Sequence, residues 1–262
     1  MPELNNSQIH SSPKEPSQQK VSLQVGLDFF AFEVFDVLSD KIQQTKHIQF
    51  DKSFTPNSFE HLNAIRSAVA EESILKFDFE QAALSQLNKQ VTPVPQKLFV
   101  EEKASNYLHY TARVSEKDIV AFDAIDCASL MMVYVPFVNI TNYFKGLYSS
   151  CKSKHAASWL LESIVKNNQQ NSDDELFVYF HSASYEVLAF REGKFLIYNQ
   201  FDKNSKEDFV YHILFVVKQL NFNPEFFNLM LMGDINLSSD LYKISCQYIR
   251  SVSIPDFSIE YL

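Results

Sequence analysis

Glycine is scarce in this chain: Gly26, Gly146, Gly193 and Gly233 are the only four in 262 residues, where average usage of about 7% would supply roughly 18. A glycine-rich phosphate loop, which needs bare backbone at several neighbouring positions, is thereby excluded. Cysteine is sparse too. Cys127, Cys151 and Cys246 stand far apart, match no CxxC spacing and are odd in number, which points to buried free thiols in a reducing compartment. No stretch clusters Lys and Arg, and a formal charge of -9 opposes affinity for nucleic acid or anionic lipid. The longest apolar run, 127–138, is twelve residues with Pro136 inside it, too short to span a bilayer and suited to a buried strand. Residues 1–20 lack an apolar stretch of signal-peptide length and read as a disordered polar tail.

What is abundant is apolar and aromatic: 46% hydrophobic residues, with 24 Phe and 12 Tyr, enough for a large core with substantial sheet. Val21, Leu23, Val25, Leu27 and Phe29 alternate as a strand with one buried face, and the phase then shifts to Phe30, Phe32 and Val34, so a reversal lies near Asp28. A third strand covers 42–50. A helix follows, capped by Asn57 with Glu60 and carrying Phe59, Leu62, Ile65 and Val69 on one stripe. The same order returns at Leu176, Val178 and Phe180, then Tyr185, Val187 and Ala189, then Phe195 to Phe201 after the turn 191–194. Ser205 caps the second helix, whose stripe is Phe209, Ile213, Val216, Val217 and Leu220. Both third strands end in Gln-Phe-Asp-Lys, at 49–52 and at 200–203, and a Phe opens each helical stripe, so the two segments read as duplicates with Phe59 and Phe209 in equivalent buried positions. The second copy ends with a strand at 226–232, a helix at 238–249 and a strand at 252–259. Between the copies, 130–135 reads as a buried strand and 140–148 and 155–165 as helices.

Two copies of β-β-β-α-β-α-β are the plan of the actin-like ATPase fold, two ribonuclease-H-like lobes of mixed sheet facing each other across a nucleotide cleft. Several stretches resemble an uncharacterised bacterial family of unknown function, found chiefly in Bacteroidetes, with a degenerate fold of this kind. They are Thr92-Pro93-Val94-Pro95 before Leu98-Phe99, His155 to Leu161, Asn199-Gln200-Phe201 followed by Glu207-Asp208-Phe209 and Tyr211, Leu231 to Ile235 with Ser239 to Tyr242, and Tyr248-Ile249-Arg250. The resemblance implies lobes at 21–127 and 174–262 joined by a connecting strand and helices at 128–173. It transfers no activity.

In actin-like ATPases the hairpin turns of both lobes offer backbone N–H groups to phosphates, typically through Asp-x-Gly followed by Ser or Thr. The corresponding stretch here keeps Asp28 but sets Phe29 and Phe30 where small residues belong, and the second, His181-Ser182-Ala183-Ser184, has neither the aspartate nor a glycine. The adenosine-binding turn of that fold carries paired glycines, whereas this chain offers Gly233 followed by Asp234. Asp28, His181, Ser182, Gly233 and Asp234 are thus the candidates for a degenerate cofactor-binding cleft, and no catalytic or metal-ligating set stands beside them. Cys151 and His155 could meet on one helical face as a dyad, against a plain packing role. Asp123 and Asp126 sit where a strand would point them apart, as solvated turn residues. Trp159, with Leu160 and Ile164, and the Phe222, Phe226, Phe227 group read as core. These features fit a cytoplasmic pseudo-ATPase: a non-catalytic binding or scaffold protein with a protein partner, no cofactor, no nucleic acid and no membrane span. The alternatives are a divergent nucleotide-binding ATPase or kinase-like enzyme of the same fold group, and an assembly adaptor like the actin-like scaffold of type IV pili.

Overall fold

The structure, a computed structural model, describes residues 17–39, 41–115, 118–168, 173–257 and 259. The expected tail lies outside them up to residue 16, and the first strand begins at Ser17. Strands β1 (Ser17–Val25), β2 (Phe29–Asp36) and β3 (Ile42–Gln49) are followed by helix α1 (Phe59–Glu71), then β4 (Phe79–Gln86). The small strands β5 (Val91–Pro95), β6 (Ala121–Ile125) and β7 (Leu130–Tyr134) come next, with a short helix α2 (Ala104–Leu108) after β5. Helix α3 (Val138–Leu147), strand β8 (Cys151–His155) and helix α4 (Ala156–Asn167) lead to β9 (Asp174–Phe180), β10 (Ser184–Arg191), β11 (Lys194–Asp202), α5 (Lys206–Gln219), β12 (Asn228–Gly233), α6 (Asp240–Tyr248) and β13 (Ser251–Ser253).

Two five-stranded sheets have the orders β3-β2-β1-β4-β8 and β11-β10-β9-β12-β13, the same arrangement twice, and a third sheet is β5-β7-β6. The chain therefore repeats β-β-β-α-β-α-β, with residues 91–134 inserted between the fourth strand and second helix of the first copy. It divides into two compact units. One holds the described residues up to Leu84 together with Val138–Ser153; the other holds Ser85–Phe137 and the described residues from Lys154 onward.

In the first unit, period-2 alternation does what it should: Val21, Leu23 and Val25 of β1 and Phe30, Phe32 and Val34 of β2 are all fully buried. Leu62, Ile65, Ala68 and Val69 of α1 are buried with them. In the second unit the sheet of β9 and β10 is covered on both faces. Leu176, Val178, Phe180, Val187 and Ala189 pack with Phe209, Ile213, Val216 and Val217 of α5 on one side. Phe177, Leu188 and Phe190 pack with Leu160, Leu161 and Ile164 of α4 and Met132 and Tyr134 of β7 on the other. Coverage on both faces explains the near-continuous apolar runs of these two strands.

The register corrects the reading of the repeat. Val25 pairs with Phe30 and Phe30 with Ile48; Phe180 pairs with Tyr185 and Tyr185 with Phe201. The N–H groups of Gly26 and His181 donate to Phe29 O and Ser184 O, and those of Phe50 and Lys203 donate to Asp28 O and Ala183 O. Ile48 therefore matches Phe201, so the two Gln-Phe-Asp-Lys tetrads lie two residues out of step. The helices do not align on their Phe residues either. Ser58, not Asn57, caps α1 by accepting from His61 N–H at 3.2 Å, and Ser205 caps α5 by accepting from Asp208 N–H at 3.0 Å. Counted from the caps, Phe209 matches Leu62, and Phe59 falls on the first turn, where it is 70% exposed while Phe209 is 1% exposed. Duplication stands on the order and pairing of elements, not on those matching residues.

Three further expectations change. Cys151–His155 is a strand, so these two residues do not share a helical face. Of the thiols only Cys151 is buried, while Cys127 and Cys246 are exposed. Phe226 is 71% exposed, whereas Trp159, Phe222 and Phe227 are core.

Candidate functional site

The first candidate turn lies in the first unit. Gly26 follows β1, and a Cβ there would overlap the ring of Phe29, which folds back over it and stacks on His47 at 5.3 Å. Phe29 is 5% exposed. The glycine is thus used by a ring of the same chain. Phe30, one residue on, points the other way, into the core against Phe32 and Phe144; only one of the two rings expected at the turn is there, because successive side chains on a strand alternate. The carbonyls of the turn are all engaged: Gly26 O with His61 Nε2 at 3.0 Å, Leu27 O with Phe54 N–H at 2.7 Å, and Asp28 O with Phe50 N–H at 2.7 Å and Gln49 Nε2 at 2.9 Å. His61 is buried, which lowers its pKa; because Gly26 O can only accept, Nε2 carries the proton and donates. The Asp28 carboxylate accepts from Gln49 Nε2 at 3.2 Å.

The second turn lies in the other unit, where the structure brings His181, Ser182, Gly233 and Asp234 to one end of the sheet. β12 runs parallel to β9 with Gly233 beside Phe180. Gly233 has φ +81, and a Cβ would strike the Phe180 carbonyl, which instead accepts from Asp234 N–H at 3.0 Å. Here glycine serves close approach of two strands of the same chain. By register His181 occupies the place of Gly26, and Asp28 matches Ala183; the histidine does not replace an aspartate. Lys203 Nζ donates to His181 O at 3.1 Å.

Behind His181 lies a polar network that the sequence reading passed over. Glu186, 1% exposed in the middle of β10, accepts from His181 Nε2 at 2.8 Å and from the Tyr198 hydroxyl at 2.7 Å. Burial pushes its carboxyl up, but the bond and charge of His181, with help from His155 and Tyr198, outweigh it and hold the pKa below the ordinary value. Tyr198, buried against that carboxylate, is raised well above a free phenol. His155 is fully buried. Its Nδ1 accepts from Ala157 N–H at 3.1 Å as the cap of α4, so Nε2 bears the proton and donates to Asn88 O at 3.1 Å; burial lowers its pKa to about 4. Asp123 accepts from Ser158 Oγ at 2.6 Å, His155 N–H at 3.0 Å and the Tyr134 hydroxyl at 3.2 Å, and burial raises its pKa. It is no solvated turn residue, although Asp126 is exposed.

Asp123, His155 and Ser158 have the residue types of a hydrolytic triad but not its geometry. Both His155 nitrogens are taken by backbone groups, and the Ser158 proton points at the carboxylate, so no base is aimed at the hydroxyl. The arrangement fastens α4 to the small sheet. A lone Glu in the apolar run Tyr185-Glu186-Val187-Leu188 was the sequence signal for this network, since a buried charge needs donors placed for it. Among the described residues, no three His, Cys, Asp or Glu side chains are grouped to hold a metal ion.

Solved structures share this architecture. A Bacteroides thetaiotaomicron protein with actin-like ATPase fold and unknown function superposes with a TM-score of 0.78 at 20% identity, covering 92% of this chain and 91% of that one. A chain of the PilM–PilN type IV pilus biogenesis complex superposes with a TM-score of 0.59 at 10% identity, covering 92% of this chain and 88% of that one. Likeness at such identities establishes the fold, which is the actin-like ATPase fold. No curated protein matches the sequence. Residues 8–252 match the family described as protein of unknown function (DUF3822), and the chain belongs to that family.

Proposed function

We propose that this protein is a non-catalytic binding or scaffold protein of the actin-like fold, acting in the cytoplasm through a protein partner. The observation that carries the reading is the ring of Phe29 seated on Gly26. Phosphate recognition at such a turn requires backbone left bare toward the ligand, and here the bare position is filled from within the chain. The second turn supports the same reading, because the N–H groups of His181 and Asp234 are spent on Ser184 O and Phe180 O. Asp28 in the first unit, and His181, Ser182, Gly233 and Asp234 in the second, then serve the structure of their own turns and not a cofactor. The similarity to a protein found in the PilM–PilN complex supports a partner-binding role for this architecture. Among the described residues no helix is long and apolar enough to cross a membrane.

The test is thermal unfolding with millimolar Mg-ATP. A ligand at 100 times its Kd stabilises by about 2.7 kcal/mol, a rise of roughly 5–10 °C for a chain of this size. The expected result is no shift. A rise of that size, abolished in Asp28→Ala, would replace the scaffold reading with a divergent ATPase.

A further inference from the structure

Helix α5 buries Phe209, Val210, Ile213, Val216 and Val217 and leaves two large rings outside: Tyr211 is 65% exposed and Phe215 is 47% exposed, stacked on each other with centroids 6.2 Å apart. Asp208 and Lys218 are exposed as well. The four positions are spaced three, four and three residues apart, which places them on one stripe about 80° wide along the outer face. The corresponding helix of the first unit is different. Six and ten residues after its cap, where α5 has Tyr211 and Phe215, α1 has Ala64 and the buried Ala68. The first copy has two small side chains at this position, whereas the second leaves two aromatic rings exposed.

We propose that this stripe is a self-association surface on which two copies of the chain pair their α5 helices antiparallel about a two-fold axis. The stripe is symmetric about Ile213: Tyr211 and Phe215 lie two residues to either side, and Asp208 and Lys218 five. Antiparallel pairing about that point sets Tyr211 against Phe215 of the second copy twice, and Asp208 against Lys218 of the second copy twice. The three-four-three spacing is that of the apolar seam of paired helices, in which each ring enters the space between residues of the facing helix. Charges of opposite sign at equal distances from one midpoint suit a copy of the same surface; parallel pairing would set like charge on like. A single 14-residue helix gives a seam of about 21 Å, so the association is weak and concentration-dependent.

Sedimentation velocity from low micromolar to several hundred micromolar protein tests this. The 30.3 kDa chain should move toward twice that mass with concentration. Asp208→Lys and Lys218→Asp should each raise the dimer Kd at least about tenfold, and the double charge swap should restore it. Replacing Tyr211 and Phe215 with Ser, both already in water, should abolish dimerisation with an unchanged circular dichroism spectrum. A wild-type chain that keeps its monomer mass at the highest concentration overturns the proposal and assigns the face to another protein. A double swap no tighter than the single variants overturns the antiparallel register.

Discussion

Replacing His155 with Asn should remove one acid-labile element of stability without removing the helix cap. In the folded chain His155 is a neutral imidazole, fixed by Ala157 N–H on one nitrogen and Asn88 O on the other, with a pKa near 4. The unfolded chain releases the same proton near 6.5, so between those values the unfolded state binds more protons and stability rises with pH. The contribution is fully present above about pH 6.5 and is lost as the pH falls through 4. Moving proton release from 6.5 to about 4 corresponds to about 3 kcal/mol across that window. Asn keeps an acceptor for the cap but leaves Asn88 O without its donor, so the variant starts about 1–3 kcal/mol lower at pH 7. Urea unfolding at pH 7, 6, 5 and 4 should show the gap between the two proteins closing toward acid pH. His61, also lowered by burial, titrates in the same direction but cancels in the difference. A gap constant from pH 7 to 4, or an imidazole proton resonance of His155 that titrates near 6.5, would refute the assignment of a buried neutral ring.

Glu186→Ala leaves the Tyr198 hydroxyl and His181 without their acceptor and should cost on the order of 3–5 kcal/mol by chemical denaturation, whereas loss of the native carboxylate on acidification belongs below the ordinary glutamate value of 4.5, because its folded pKa is depressed. Gly233→Ala meets both a left-handed φ and the Phe180 carbonyl, and should destabilise by about 2–4 kcal/mol in the same assay. Phe209→Ala should cost about 3–5 kcal/mol, and Phe59→Ala no more than about 0.5 kcal/mol, in a paired comparison of melting curves.

The fold was legible wherever one face of an element is buried. Alternation in 21–34 located two strands and the hairpin between them, since a residue displaced by one position would leave the core; in 176–189 both faces are covered, and it was the polar break between two apolar runs that marked the hairpin. It failed where other forces decide. Phe79–Gln86 is rich in Glu, Gln, Ala and Leu, all good helix formers, yet is a strand beside β1 in the first sheet. Burial of Ala82, Ala83 and Leu84 in that sheet overrides local preference. Val91–Pro95 pairs with β7 despite two prolines because it lies at the edge of its three-stranded sheet. Cys151–His155 is nearly all polar and carried no pattern; it too lies at a sheet edge.

The repeat and the site were legible to different depths for one physical reason. A duplicated backbone is held by pairing and by the volume of its core, and both survive exchange of individual side chains. Residue identity at matched positions can then drift: Gly26 and His181 take the same place in the two turns, and so do Ile48 and Phe201. Short identical stretches such as Gln-Phe-Asp-Lys mislead for that reason, since nothing ties their side chains to equivalent surroundings. What survives at the turns is geometry. Each turn still makes its internal hydrogen bond and still accepts a donor from the residue after its third strand. A glycine whose missing side chain is used stands in the first turn, at Gly26 under the Phe29 ring, and another beside the second turn, at Gly233 on the end of β12 against the Phe180 carbonyl. Both glycine positions are closed by the chain itself, and at Gly26 that closure depends on where the Phe29 ring turns, which no spacing rule in the sequence specifies.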